Sequence, residues 1–436
     1  MAHIRYFYLI LLTFSFVSLE ASENPILGAA GYNHTCATDR AGRLFCWGSN
    51  GNGPLGLGEP ITRSTPVAVK LPKDRRVTNL FAGYLHTCVL YDNNDLSCWG
   101  SNTYGQLGLG TTSSSVGDAF NQTPDKLPPV DLGTDRKIKK VAIGESHVCS
   151  LFEDGRVKCW GQNDYGGLGL GDVKKRGQSP LDMGKALPDL DLGNNRVMDI
   201  GAGAGFSCAL FEDKSVRCWG NYYSIGSGGT SHIGLAPSNM GANLKALNLG
   251  MDAKVESLSV GFRHTCALLT SGKVKCWGIA NEGSLGVGPV NSAVIGDSTS
   301  EMGENLRAVD LGDTPNVIGL AAGDNNTCAL FENHAIKCWG HNNVGTLGLG
   351  DQRSRGVVTS DMGNNLPFIN LGRLAQVTSI AKGSYHNCVV LGTDVLKCWG
   401  YNIHSQLGNG STINLGTTHE QMGDNLKMMT FPTEED

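Results

Sequence analysis

Seven copies of one thirteen-residue unit constrain the fold of this chain more than any other feature. Each copy has two cysteines ten positions apart and closes with Trp-Gly, as in the copy that runs from Cys149 to Gly161. The copies use all fourteen cysteines and all seven tryptophans of the chain. A pattern that recurs every ~60 residues is typical of a repeat architecture. The cysteine pairs are Cys36 and Cys46, Cys88 and Cys98, Cys149 and Cys159, Cys208 and Cys218, Cys266 and Cys276, Cys328 and Cys338, and Cys388 and Cys398.

Each unit contains four short segments of strand-like composition and no helical periodicity. An apolar segment ends in Gly, as at residues 77–83, and the two cysteine-bearing segments follow. A glycine-rich turn comes next, and a segment of the form Leu-x-x-x-x-Leu-Gly, as at residues 306–312, ends the unit. Seven such units predict an all-β protein, a seven-bladed β-propeller of four-stranded antiparallel blades. The repeats cover 22–72, 73–133, 134–193, 194–250, 251–312, 313–372 and 373–431, and an acidic tail covers 432–436.

The spacing of the cysteines indicates a tight hairpin with one disulfide inside each blade. Nine residues between the cysteines suit a three-residue loop whose last residue lies in the left-handed region. That position holds Gly42, Asn94, Gly155, Lys214, Gly272, His334 and Asp394, of which all but Lys214 tolerate positive φ. The cysteines then face each other across the hairpin, and each bridge contributes slightly under ~3 kcal/mol in the loop-entropy model.

Five histidines lie two residues before the first cysteine of a copy: His34, His86, His147, His264 and His386. With the thiols they raise the alternative of a zinc site. Phe206 and Asn326 replace the histidine in two intact copies. We therefore favour structural histidines, hydrogen-bonded to neighbouring backbone or packed at the blade edge, and expect no metal and no other cofactor.

The first residues and the net charge indicate the compartment and exclude some partners. Arg5, the apolar stretch 6–17 and the small residue Ala21 predict a signal peptide at residues 1–21. Twelve apolar residues are too few to span a bilayer, which takes ~20, so no membrane insertion is expected, and an uncleaved anchor is the alternative. Export suits paired cysteines and predicts a secreted, extracellular protein. The net charge of −5 and the absence of basic runs argue against nucleic acid.

The repeat resembles that of the regulator-of-chromosome-condensation family. The resemblance lies in Gly-x-x-His-Thr-Cys-x-Leu, then Val-x-Cys-Trp-Gly-x-Asn, then Gly-Gln-Leu-Gly-x-Gly, and it covers residues 26–431. It implies a seven-bladed propeller used as a rigid disc for protein binding. The cysteine pairs are similar to those of secreted members. Because members differ widely in activity, the resemblance does not fix a function.

Departures from the repeat are the candidate binding sites, since a rigid scaffold leaves recognition to its loops. The fourth copy replaces its glycine turn with residues 221–232, which contain Tyr222, Tyr223 and His232. The second copy has a longer loop with Phe120. The alternative for the fourth copy is a drifted turn in which one tyrosine packs on a neighbouring blade. Sequons at Asn121 and Asn409 lie in predicted loops and are candidate glycosylation sites.

No catalytic motif accompanies the repeats. The opening strands carry small residues near the axis, such as Ala82 and Ser259, and offer no acid or base. We therefore expect no enzymatic activity. The sequence favours a monomeric interaction module that binds an unidentified protein partner through the loops of one face. A carbohydrate-binding propeller is the alternative, and it would place the same polar and aromatic set in several blades.

Overall fold

The structure is a computed structural model that describes residues 25–373 and 375–432. The predicted signal peptide and residues 433–436 lie outside the described residues. Seven antiparallel sheets follow one another along the chain and form the seven blades of a propeller. The first strand of each blade packs against the first strands of neighbouring blades, so these strands surround the central axis. The predicted all-β, seven-bladed architecture is confirmed.

The strands of the blades occur at equivalent positions in all seven units. The first strands are Gly28–Ala30, Val77–Ala82, Ile138–Ile143, Val197–Ala202, Val255–Val260, Val317–Ala322 and Val377–Lys382. The second strands are His34–Thr38, His86–Tyr91, His147–Phe152, Phe206–Phe211, His264–Leu269, Asn326–Phe331 and His386–Leu391. The third strands are Leu44–Gly48, Leu96–Ser101, Val157–Gly161, Val216–Gly220, Val274–Ile279, Ile336–Gly340 and Val395–Gly400.

The fourth position of the blades differs from the prediction. It forms a strand in blades one, two and five, at Arg63–Ala68, Ser115–Val116 and Val294–Ile295. In the other four blades a single β-bridge to the third strand takes its place. The predicted strand at 306–312 is wrong, because this segment pairs with the third strand only through a bridge at Ala308 and a hydrogen bond from Val309 N–H to Val274 O. The fourth strand is interrupted by inserted helices.

These insertions are pairs of 3-10 helices, here called clasps, and six of the seven blades have one. Each pair precedes the final Leu-x-x-x-x-Leu segment of its blade. The clasps are Phe120–Gln122 with Pro124–Lys126, Pro180–Asp182 with Gly184–Ala186, Pro237–Asn239 with Gly241–Asn243, Thr299–Glu301 with Gly303–Asn305, Thr359–Asp361 with Gly363–Asn365, and His419–Gln421 with Gly423–Asn425. One further 3-10 turn, Asn281–Gly283, and one short α-helix, Tyr222–Ile225, lie in the loops after third strands.

The cysteine hairpins have the predicted geometry. Every pair is in direct register and bridged, with Cα atoms 4.0–4.1 Å apart. The left-handed residue lies at the predicted position in six blades, and it includes Lys214 at φ 67°. Blade seven differs, because Gly392 at φ 58° takes the positive φ instead of Asp394. The pairing there continues to Leu391 and Val395, so the loop turns at its first residue.

Each tryptophan connects its blade to the preceding one. The seven rings are fully buried, and in six of them the indole N–H donates to a carbonyl in the glycine turn of the preceding blade. The pairs are Trp47 to Gln406 at 2.9 Å, Trp99 to Pro54 at 2.9 Å, Trp160 to Gln106 at 3.0 Å, Trp219 to Gly167 at 2.9 Å, Trp339 to Ser284 at 3.1 Å and Trp399 to Thr346 at 3.0 Å. The ring closes by the same contact, from Trp47 of blade one to blade seven.

The buried histidines connect the blades in the opposite direction. His147 Nε2 lies 2.8 Å from Ser207 Oγ of the next blade, and that hydroxyl donates to the carbonyl of Gly167. Because the hydroxyl proton is already used, the histidine must donate and is the neutral Nε2–H tautomer. The equivalent histidine-to-hydroxyl distances are 2.9 Å for His34 with Thr87, 2.7 Å for His264 with Thr327, and 2.7 Å for His386 with Thr35. These four histidines are structural, with a hydroxyl rather than backbone as their partner. His86 is also buried, but its ring has no hydrogen-bond partner among the described residues.

Closure of the ring also uses the C-terminal segment. Met429 N–H donates to Leu396 of blade seven, and the Phe431 ring lies 5.1 Å from that of Phe45 in blade one. Blade one contains all four of its own strands. The seam is therefore joined by side-chain packing and not by exchange of a strand.

The buried histidines predict a loss of stability in mild acid. Burial lowers the pKa of His34, His86 and His386 to about 3 and that of His147 and His264 to about 4, below the unfolded value of 6.5. The unfolded chain then binds more protons below pH 6.5, so stability is full above 6.5 and falls as pH decreases. Each histidine costs about 2 kcal/mol at pH 5. Urea unfolding at pH 7 and 5 measures this.

A single substitution tests whether the buried histidines cause this loss of stability in acid. His147→Gln keeps a donor for Ser207 and removes the titrating group. It should therefore decrease the number of protons bound on unfolding between pH 7 and 5 by about one. The exposed His419→Gln is the control and should leave the slope unchanged. An equal slope for all three proteins would contradict the role of the buried rings.

Candidate functional site

Two sets of loops meet on one face of the propeller. In every blade the loop between the first and second strands accepts a hydrogen bond of 2.8–3.0 Å from the residue after the third strand or at its end, as from Tyr401 N–H to Tyr385 O. We call this surface the tyrosine face, because it carries eight of the nine described tyrosines. They are Tyr32, Tyr84, Tyr104, Tyr165, Tyr222, Tyr223, Tyr385 and Tyr401. Tyr91, at the end of a second strand, is the exception.

The loops between first and second strands form a closed ring around the axis. Each begins with a glycine and two variable residues, at 31–33, 83–85, 144–146, 203–205, 261–263, 323–325 and 383–385. At five seams the first variable residue donates its N–H to the next blade, as from Tyr32 to Tyr84 O at 3.0 Å. A Cβ on Gly261 would lie 2.2 Å from the carbonyl oxygen of Gly323. Only glycine fits there, so the loops are held rigidly.

Four aromatic rings from four blades cover the axis on this face. Tyr32 and Tyr84 stack with centroids 4.1 Å apart, and Tyr385 lies 6.1 Å from Tyr32. Tyr84 meets Phe262 of blade five edge-on at 5.5 Å. Offset and edge-on arrangements are the favourable ones for aromatic rings. These four residues, with the charged groups beside them, are here called the axial cluster.

Two carboxyls and one guanidinium complete the axial cluster. Asp324 is buried, and its Oδ1 lies 3.0 Å from Nε of the half-exposed Arg263. Burial raises the pKa of Asp324, and Arg263 opposes the shift. Burial also raises the pKa of Glu145, with Arg263 opposing and Asp324 adding to it. The pKa of Tyr84 is raised by burial, by its hydrogen bond to Tyr32 and by these two carboxyls. Carboxyls shifted in this way are frequent at functional sites.

The predicted blade-four residues form a second aromatic group beside the axial cluster. Tyr222 and Tyr223 begin the short helix Tyr222–Ile225, and their rings lie 4.0 Å apart. His232 accepts from Tyr222 N–H at 3.2 Å, and its ring lies 5.0 Å from that of Tyr165. These four residues are here called the blade-four patch. Tyr165 and Tyr223 are each 42% exposed, so their rings are available for contact.

The altered loop costs the fold one hydrogen bond between blades. Ile225 and Ser224 are buried, and Ser224 Oγ donates to Arg263 O at 3.0 Å, which anchors the helix to the axial cluster. Gly226 lies against the indole of Trp277 in place of the usual turn. Trp277 Nε1 is buried without a hydrogen-bond partner among the described residues. Such an unpaired donor costs about 1–3 kcal/mol. The loop is thus anchored, yet it departs from the repeat at a cost in stability.

The structure does not place Phe120 with the other predicted site residues. Phe120 lies in the clasp of blade two on the perimeter, is 77% exposed, and packs against Lys126 Nζ 4.0 Å from its ring centre. Asn121 and Asn409, the candidate glycosylation sites, are exposed. Sequence reasoning missed the axial cluster, because it considered the strands near the axis and not the two variable residues after each glycine.

Within 25–373 and 375–432, no group of three or more His, Cys, Asp or Glu side chains is arranged to hold a metal ion. No helix in this part of the chain is long and apolar enough to cross a membrane.

The buried carboxyl predicts the effect of removing its cation. Arg263→Gln leaves Asp324 without a countercharge and should destabilise the fold by about 1–3 kcal/mol. Because the folded-state pKa of Asp324 lies above its unfolded value, its contribution to stability decreases as pH rises. The deficit should therefore be larger at pH 7 than at pH 4.5, as urea unfolding would measure.

Two further variants control this experiment. Arg263→Gln combined with Asp324→Asn should recover part of the loss. Arg156→Gln, which removes an exposed ion pair with Asp189, should change stability by less than about 1 kcal/mol. A deficit of Arg263→Gln that is independent of pH would contradict the pairing.

Comparison with known proteins agrees with this architecture. The RCC1-like domain profile matches residues 44–423, and an RCC1 repeat profile matches residues 28–53. The ultraviolet-B receptor UVR8 of Arabidopsis thaliana is 29% identical over 331 residues, which cover 74% of this chain and 67% of that protein. Human regulator of chromosome condensation is 24% identical over 414 residues, which cover 91% of this chain and 88% of that protein.

A solved structure shows the same fold. Yeast RCC1 (Prp20), bound to Kap60, superposes with a TM-score of 0.61 at 21% identity, over 82% of this chain and 78% of that one. The family profile covers most of the chain and all seven blades contribute to the match. The chain therefore belongs to the RCC1-like domain family.

Proposed function

We propose that this protein is a secreted or surface-exposed interaction module without catalytic activity, and that it binds a protein partner through the tyrosine face. The observation that carries the proposal is the concentration of eight tyrosines on one face. Tyrosine gives a large amphipathic contact area at a low cost in side-chain entropy, and it is enriched in interface hot spots.

The blade-four patch is the proposed centre of the contact. It is the one loop after a third strand that forms an α-helix among the described residues, and its presence leaves Trp277 Nε1 unpaired. Departures that cost stability are expected at functional positions. The ring of glycine loops beneath it is rigid, which limits the entropy lost on binding.

Two observations support the compartment and the kind of partner. All fourteen cysteines form disulfides, a state that suits an oxidising environment. Yeast RCC1, a structural relative, is bound to the protein Kap60. The carboxyls of the axial cluster have structural contacts, since Asp324 pairs with Arg263 and the four aromatic rings lie over the axis. We assign them to the shape of the surface and not to catalysis.

A pair of substitutions tests this function. Tyr222→Ala with Tyr223→Ala should decrease partner affinity at least tenfold and leave the melting temperature unchanged, because both rings lie at the surface. The measurement is capture of extracellular proteins by the oxidised chain, with a photo-crosslinking residue in place of the exposed Ser227 of the same loop. Met251, 83% exposed at the opposite face, gives the matched control position.

Each outcome has a defined meaning. Crosslinks at 227 and not at 251, lost in the double variant, support the proposal. Equal crosslinking at both positions would contradict it. A glycan array separates the carbohydrate alternative, because binding of one defined sugar that the double variant loses would replace the protein partner.

A further inference from the structure

The clasps join neighbouring blades by a repeated backbone hydrogen bond. In each case an N–H of the clasp donates to a carbonyl on the outer segment of the preceding blade. The six pairs are Asp125 to Lys70 at 3.1 Å, Gly184 to Asp131 at 3.0 Å, Gly241 to Asp191 at 3.0 Å, Gly303 to Asn248 at 2.9 Å, Gly363 to Asp310 at 3.0 Å and Gly423 to Asn370 at 3.0 Å. Six seams are thus covered in the same way.

A methionine completes the contact at three of these seams. The ends of Met183, Met240 and Met422 lie against a turn glycine of the preceding blade, which is Gly108, Gly169 or Gly348. The methionines of the clasps are buried, with Met183 4% exposed. An unbranched, flexible side chain fills such an irregular space well. The sequence Met-Gly therefore supplies both an apolar plug and a backbone donor.

Blade one has no clasp among its described residues, so the seam between blades seven and one is uncovered. The chain there forms the strand Arg63–Ala68 in place of two 3-10 helices. A cleft of about 830 Å³ lies at this seam, between the outer segment of blade seven and Thr65 with Pro66 of blade one. Other blades place their clasps at the equivalent position.

The walls of the cleft match those that receive a clasp elsewhere. Leu407 and Gly408 are the repeat equivalents of Leu347 and Gly348, on which Met422 packs. Thr430 lines the cleft and is the equivalent of Asn370, whose carbonyl accepts from a clasp. The cleft thus contains the apolar surface and the carbonyl position of a clasp site.

We propose that this cleft binds a peptide segment of a partner protein that folds as the missing clasp, with a Met-Gly pair at its centre. The methionine would lie on Leu407 and Gly408, and the N–H of the glycine would donate to Thr430 O. Each clasp of this chain is engaged at its own seam, so none is free to fill the cleft. The site is distinct from the tyrosine face and needs no contact with it.

A synthetic peptide tests the proposal directly. The probe is the chain's own clasp sequence from residues 298–306, Ser-Thr-Ser-Glu-Met-Gly-Glu-Asn-Leu, carrying a fluorophore. Fluorescence anisotropy with the full oxidised chain should show saturable binding at micromolar to submillimolar concentration. A matched peptide with Met302→Ser and Gly303→Val should bind at least tenfold more weakly, because Gly303 has φ 70° and valine disfavours that conformation.

Two chain variants locate the binding. Thr65→Trp places a ring in the cleft from an exposed position and should weaken binding at least tenfold. Thr62→Trp, exposed on the same segment but outside the cleft, should bind like the unmodified chain. Both variants should melt at the temperature of the unmodified chain. The chain is produced without glycans, because Asn409 also lines the cleft.

The outcomes separate this site from the proposed function. The Tyr222→Ala, Tyr223→Ala double variant should bind the peptide normally. No saturable binding by the unmodified chain up to 1 mM, or equal binding by the Thr65→Trp variant, would overturn the clasp site and leave the tyrosine face untouched.

Discussion

The hydrogen bond from the tryptophan indole to the turn of the preceding blade, made by six of the seven tryptophans, is the contact on which the structure depends. A blade buries its cysteine hairpin only against its neighbours, so an isolated blade could not exclude water from its core. The indole occupies that interface, and its single donor must find an acceptor there. The glycine turn supplies the acceptor at a fixed position. The sequence repeat therefore reflects the contacts between blades as well as the strands within each blade.

This constraint explains why one altered loop is informative. A turn that merely drifted would be expected to keep the carbonyl that its neighbour needs, because losing it costs about 1–3 kcal/mol. In blade four the carbonyl is lost, while Ile225 is buried and Asn221 caps the new helix by accepting from Tyr223 N–H. The new loop is stabilised by its own contacts, but it leaves the indole N–H of the neighbouring blade without an acceptor. That combination favours a role outside the fold.

The sequence predicted most of the repeated features and only part of the variable surface. The facing cysteines, the left-handed hairpin residues and the axial position of the first strands all follow from residues present in nearly every copy. The interrupted fourth strand did not follow, because the Leu-x-x-x-x-Leu segment has the composition of a strand, yet in blade five it makes only a single bridge, at Ala308. The axial cluster was missed for a related reason. Its residues occupy the two variable positions between Gly and His, which the repeat pattern records only as x.

A signal for the axial cluster was nevertheless present in the sequence. The first variable position holds Tyr32, Tyr84, Glu145, Ala204, Phe262, Asp324 and Ser384, a set with three aromatic and two acidic residues. These residues follow strands that converge on one axis, so their side chains had to meet. Packing of identical units does not explain why the residues at this point of convergence differ from blade to blade. In a symmetric scaffold the repeated positions stabilise the disc and the unrepeated ones define its surface. Sequence reasoning about such proteins should therefore examine the positions that the repeat leaves free, arranged by where the strands carry them.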